Sequence, residues 1–160
     1  MDLFDTDWLA QLSIVIKVAI AMLLGGLIGL EREYARKPAG FRTHMLVAGA
    51  AALLVGLADV LVAQFALSQA SPLYLRADPI RIVEAIIAGV AFLGAGTIFR
   101  SGQGKNMEGL TTAASILLAA GVGIAVALEQ ILTALGVTIL GLVVLRFVRI
   151  ADPHHRDSAG

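Results

Sequence analysis

Five apolar blocks, each close to the length needed to cross a lipid bilayer, fill most of this 160-residue chain, and its charges collect between them. The blocks run Leu9–Leu30, Met45–Ala66, Ile80–Phe99, Leu110–Leu128 and Ile131–Val148. A helix needs about 20 mostly apolar residues to span the hydrocarbon core. The block Leu110–Leu128 holds no ionisable side chain at all. With 58% hydrophobic and 15% charged residues, a soluble domain of this length has too small an interior for so much apolar surface. The pattern therefore predicts an all-α, polytopic membrane helix bundle of about five transmembrane helices.

Charge distribution orients the bundle. Lys plus Arg balances Asp plus Glu at 12 each, so net charge points to no nucleic-acid partner. Basic residues gather in the loop between blocks one and two (Arg32, Arg36, Lys37, Arg42), between blocks three and four (Arg100, Lys105), and near the C-terminus (Arg146, Arg149, Arg156). The opposite side carries only Arg76 and Arg81, with Glu129 at the last turn. The positive-inside rule then places the N-terminus outside and the C-terminus in the cytoplasm. Residues 1–150 read as one transmembrane domain and 151–160 as a disordered cytoplasmic tail. The acidic start, with Asp2, Asp5 and Asp7, does not fit a cleavable signal peptide, and Trp8 reads as an interfacial anchor.

Local signals set the helix edges. Asp78 suits an N-cap with Pro79 in the first turn of helix three. Gly40 precedes helix two, and Thr111 or Thr112 suits the start of helix four. Only Glu129 and Gln130 part blocks four and five, yet one continuous helix would be roughly 58 Å long at 1.5 Å per residue. A tight hairpin is expected there. The segments Gln69–Pro79 and Ser101–Met107 read as an external and a flexible internal loop. Gly25 and Gly29 form a GxxxG pair, which serves close packing within the bundle or a seam between two copies. Gly40-Phe-Arg-Thr43 and Gly109-Leu-Thr-Thr112 hint at a parallel internal repeat.

Three ionisable residues interrupt the blocks. Lys17, Asp59 and Glu84 all fall in the outer half of the membrane by this topology, where charges pair or face a wet cavity. The functional reading is an outward pocket that admits a cation. The structural reading is that Lys17 snorkels and Glu84 pairs with Arg81. A second cluster, Glu31, Arg32, Glu33, Arg42, His44, Arg100 and Glu108, converges on the cytoplasmic ends, as a docking surface or gate, or as interfacial anchors. Glu31 and Arg42 are expected to pair across the short turn. The chain has no Cys, no P-loop, no HExxH or EF-hand pattern, and no assembled Ser-His-Asp set. His44 by itself is poor metal evidence, and His154 and His155 lie in the tail. No catalysis, metal or cofactor is expected.

Five stretches in order carry a resemblance. They are Gly26-Leu-Ile-Gly-Leu-Glu-Arg-Glu33, Ala39-Gly-Phe-Arg-Thr-His-Met-Leu46, Asp78-Pro-Ile-Arg81, Phe92-Leu-Gly-Ala-Gly-Thr-Ile98 and Gly109-Leu-Thr-Thr-Ala-Ala-Ser115. Together they resemble the membrane domain of the MgtC/SapB family. The motif positions carried over are Glu31, Arg32, Gly40, Arg42, Thr43, Asp78, Arg81, Gly94, Gly96, Gly109, Thr111 and Thr112. The resemblance implies a multi-pass protein of the bacterial cytoplasmic (inner) membrane, linked to magnesium homeostasis, low-magnesium growth and virulence. It implies a non-catalytic modulator of other membrane machinery such as the F-type ATP synthase. A Mg²⁺ or other cation transporter using Asp59, Glu84 and Lys17 is the alternative. The chain departs from the family pattern at Ala91, Leu117 and Glu84, and it ends at Gly160, where long members continue into a cytoplasmic domain.

Overall fold

A computed structural model describes residues 7–67, 79–100 and 107–151. Five helices follow the five apolar blocks: α1 (Asp7–Tyr34), α2 (Phe41–Leu67), α3 (Pro79–Gly96), α4 (Leu110–Ala127) and α5 (Ile131–Ala151). Trp8–Tyr34, Phe41–Ala63 and Leu110–Ala127 are each long and apolar enough to cross a membrane, and Ile131–Phe147 is a shorter apolar helix. The chain is an all-α membrane helix bundle. Asp78, most of the 69–79 loop, residues 101–106 and the tail from 152, with His154 and His155, lie outside the described residues.

α4 is the hub. It packs against all four other helices, which lie around it as neighbours in the order α3, α2, α1, α5. Its uncharged sequence fits this place, because a central helix meets protein on most of its circumference. Ile116, Ala119, Ala120, Val122 and Val126 of α4 are buried against Ala21, Leu24 and Ile28 of α1 and Ala48, Ala51, Ala52 and Val55 of α2. Small residues bring the backbones together. A Cβ built on Gly123 would stand 2.1 Å from the Ala48 carbonyl oxygen. On Gly25 it would stand 2.6 Å from the Ala48 Cβ, and on Gly29 2.8 Å from the Phe41 Cα. Gly25 and Gly29 are thus covered by α2 of the same chain. Their face serves packing within the bundle and is not open to form a seam with a second copy.

Both long hairpins turn by the same device. At the end of α1, Lys37 N–H donates to the Arg32 carbonyl and Arg36 N–H to the Glu33 carbonyl. Arg36 adopts φ 54°. At the end of α4, Gln130 N–H donates to the Ala125 carbonyl and Glu129 N–H to the Val126 carbonyl, with Glu129 at φ 62°. This is the Schellman pattern, in which a left-handed residue satisfies the last helical carbonyls. It explains how the long apolar run breaks at Glu129 with no Gly or Pro beside it.

Two helix edges differ from expectation. α3 stops at Gly96, short of Phe99, because Thr97 donates its hydroxyl and its N–H to the Gly94 carbonyl. Phe99–Arg100 then pairs antiparallel with Met107–Glu108, so part of the expected flexible loop is a short ribbon. The cap of α4 is Gly109, not Thr111 or Thr112, and no side chain caps it. Gly109 sits at φ 91°, and a Cβ there would lie within 1.9 Å of the Thr97 carbonyl oxygen.

Candidate functional site: a buried polar junction of three helices

The end of α1, the start of α2 and the start of α4 meet around His44. The His44 side chain is fully buried at 0% exposure, although it lies only three residues from the N-terminus of α2. Its Nδ1 lies 2.9 Å from the Gly40 carbonyl oxygen and its Nε2 2.9 Å from the Ser115 hydroxyl. A carbonyl only accepts, so Nδ1 carries the proton and donates to Gly40. In the neutral ring Nε2 then accepts from Ser115. The Ser115 hydroxyl also lies 2.8 Å from the Thr112 carbonyl oxygen. One hydroxyl proton thus has two acceptors within reach. Buried Thr112 and Ser115 occupy the face of α4 that meets this end.

Arg32 lies at the same end, with only 3% of its surface exposed. Its Nε and Nη2 both donate to Oε2 of Glu31, whose side chain is 11% exposed. The expected Glu31–Arg42 pair does not form. Arg42 is exposed on α2, while the side chain of Arg32, next to Glu31 on α1, is buried and binds its carboxylate. Glu33 reaches across the turn instead, and accepts a 2.9 Å hydrogen bond from the Phe41 backbone N–H. The first free N–H of α2 is therefore capped from α1, which holds the two helices antiparallel. Among the described residues, every buried side-chain nitrogen and oxygen has a hydrogen-bond partner.

The other motif positions divide by role. Gly40 supplies the carbonyl for His44. Gly94 is buried, and its Cβ position lies 3.3 Å from the Ala113 Cβ on α4. Gly109 provides the left-handed cap. Thr43, Gly96 and Thr111 are exposed. Arg81 is exposed on α3, and the side chain of Arg100 lies outside the described residues.

The expected outer pocket is not assembled. Lys17 donates a 2.8 Å hydrogen bond to Glu129, beyond the end of α4, and is thereby turned away from both expected carboxylates. That hydrogen bond, with the Lys17 charge, lowers the pKa of the exposed Glu129 carboxyl. Asp59 and Glu84 are each exposed, and Glu84 makes no ion pair with Arg81. Among the described residues, no group of three His, Asp or Glu side chains is placed to hold a metal ion.

Sequence reasoning passed over His44 and Ser115 as partners. A signal for His44 was present: Gly40, His44 and Ala48 repeat every four residues, on the face opposite Gly25 and Gly29. No such spacing points to Ser115, which is 71 residues away.

Residues 18–153 match the MgtC family. The chain belongs to the MgtC family. An uncharacterized protein of Haemophilus influenzae is 37% identical over 98% of this chain and 63% of its own length. Protein MgtC of Salmonella typhimurium is 39% identical over 79% of this chain and 48% of its own. Protein SapB of Bacillus subtilis is 39% identical over 74% of this chain and 49% of its own. The chain thus spans about half to two thirds of these relatives. No solved structure matches it. The family match takes in the α1–α2 turn, the His44–Ser115 junction and all of α4.

Proposed function

We propose that this MgtC-family chain is a non-catalytic modulator in the bacterial cytoplasmic membrane, acting by contact with other membrane proteins in a setting linked to magnesium supply. The N-terminus would lie outside and the C-terminus in the cytoplasm, as the loop charges favour. The observation that carries this reading is the sealed interior. Gly25, Gly29 and Gly123 bring α1, α2 and α4 into backbone contact, and the one buried ring at their junction is filled from both sides by Gly40 and Ser115. A bundle closed in this way offers its outer faces. Phe92 on α3 is 82% exposed and Leu132 on α5 is 87% exposed. The family resemblance supplies the F-type ATP synthase as the first partner to test.

Photo-crosslinking from positions 92 and 132 in native membranes, at low and high magnesium, tests the reading. The expected result is a discrete protein adduct whose yield changes with magnesium. Adducts with lipid and self alone, in both conditions, would refute it.

The second reading is a cation transporter. It is favoured by the exposed Asp59, a carboxylate within the Phe41–Ala63 span. Purified protein in liposomes with an entrapped magnesium dye separates the two. Flux abolished by Asp59→Asn or Glu84→Gln would replace the modulator reading.

A further inference from the structure

Between α2 and α3 lies an open apolar groove of about 640 Å³. Its most buried lining residues are Ala51 of α2 and Ile86 and Val90 of α3, and the small residues Ala50, Ala85 and Gly89 line it closer to the surface, with Leu54 and Leu93. A Cβ added at Gly89 would meet nothing within 4 Å. Among the described residues, the single charged side chain lining the groove is Arg81, in the first turn of α3. Arg81 is exposed and makes no hydrogen bond or ion pair among the described residues.

The dimensions match one leaflet. Along α3 the lining runs from Arg81 to Leu93, roughly 18 Å at the helical rise. Half of the hydrocarbon core is about 15 Å thick. α3 has 18 residues, so it is about 27 Å long and nearly as tall as that core, which sets Arg81 at the membrane–water boundary. A phospholipid phosphate lies at that depth, directly above its acyl chains.

We propose that the α2–α3 groove binds an anionic phospholipid of the surrounding bilayer, with an acyl chain along the apolar lining past Gly89 and the phosphate on the Arg81 guanidinium. The planar fork of Arg matches phosphate oxygens in a bidentate arrangement. A flexible string of methylenes conforms to this lining of mixed small and large apolar side chains.

The purified full chain in detergent is titrated with phosphatidylglycerol and, separately, phosphatidylethanolamine, and retained lipid is read by native mass spectrometry. The wild type is expected to prefer phosphatidylglycerol about fivefold, the ratio one basic residue near the surface supplies. Arg81→Gln removes the preference and Arg81→Lys keeps most of it. Gly89→Phe lowers retention of both lipids without loss of helix by circular dichroism. Equal retention of the two lipids by the wild type, or a preference that survives Arg81→Gln, overturns the proposal. Arg81 is exposed, so that variant is decisive even where Gly89→Phe fails to fold. A photo-reactive residue in place of Gly89 is expected to label phospholipid in native membranes, and labelling of a protein instead also overturns it. The partner crosslinks from positions 92 and 132 are read separately, so either proposal can fail without the other.

Discussion

Two glycines on one turn of α4 should respond to the same substitution with opposite signs. Gly123 faces α2, and an added methyl group there would lie 2.1 Å from the Ala48 carbonyl oxygen, 2.9 Å from its carbon and 3.1 Å from the Ala48 Cα. All three atoms are backbone in the middle of a helix, so no rotamer change relieves the overlap. Ordinary contact begins at 3.4 Å, so the α2–α4 seam must open by roughly 1 Å, and a gap of 0.5–1 Å forfeits a quarter to a half of each dispersion contact along it. Overpacking typically costs about 1–3 kcal/mol, and a rigid obstacle puts Gly123→Ala at the upper end, about 3 kcal/mol. Gly121, two residues away, has nothing within 4 Å of its Cβ position. Gly121→Ala is worth only the helix-propensity gain, about 0.5–1 kcal/mol of added stability. At roughly 2–4 °C per kcal/mol for a chain of this size, Gly123→Ala lowers the midpoint by about 6–12 °C and Gly121→Ala raises it by about 1–4 °C. Thermal unfolding in mild detergent, followed by far-ultraviolet circular dichroism, reads both. Equal midpoints for the two variants would refute the claim that α4 is held against α2 by backbone contact at Gly123.

The polar contacts at the two ends of the bundle give three more predictions. Arg32→Ala strands the largely buried Glu31 carboxylate and should cost about 3–5 kcal/mol, whereas Arg42→Ala on the exposed face stays within about 0.5 kcal/mol; urea unfolding in detergent measures both, and equal costs would refute the pairing assigned here. Ser115→Ala leaves Nε2 of His44 buried without a partner and should cost about 1–3 kcal/mol, with Ser115→Thr recovering part of it. At the other end, the Glu129 pKa lies below its usual 4.5 because Lys17 hydrogen-bonds and faces its carboxylate. A depressed carboxylate contributes stability that is present above the ordinary value and is lost as pH falls below 4.5 through the folded value. The wild type should therefore lose a small increment of thermal stability in that acid window that Lys17→Gln has already lost, and 1 M salt should shrink the difference.

What the sequence determined by itself is what depends on run length and solvent. Five apolar blocks had to become helices in lipid, because no other short segment satisfies its own backbone there. Their separators had to hold the turns, which fall between Tyr34 and Phe41 and at Glu129 and Gln130. The family was also legible, since its motifs stand in fixed order along the chain. Tertiary structure decided which charges meet. Glu31 pairs with Arg32, its neighbour on α1, and the packing of α1 against α2 left Arg42 exposed. Lys17 went to Glu129, 112 residues away, because α4 ends beside the middle of α1. His44 met Ser115 for the same kind of reason: glycines in α1 and α4 let three backbones approach until a ring from one helix reached the hydroxyl of another. Helix formation in a membrane is a local free-energy decision, settled within about 20 residues. Side-chain pairing depends on the rotation and depth of whole helices, and those are set only when all the packed faces are satisfied at once.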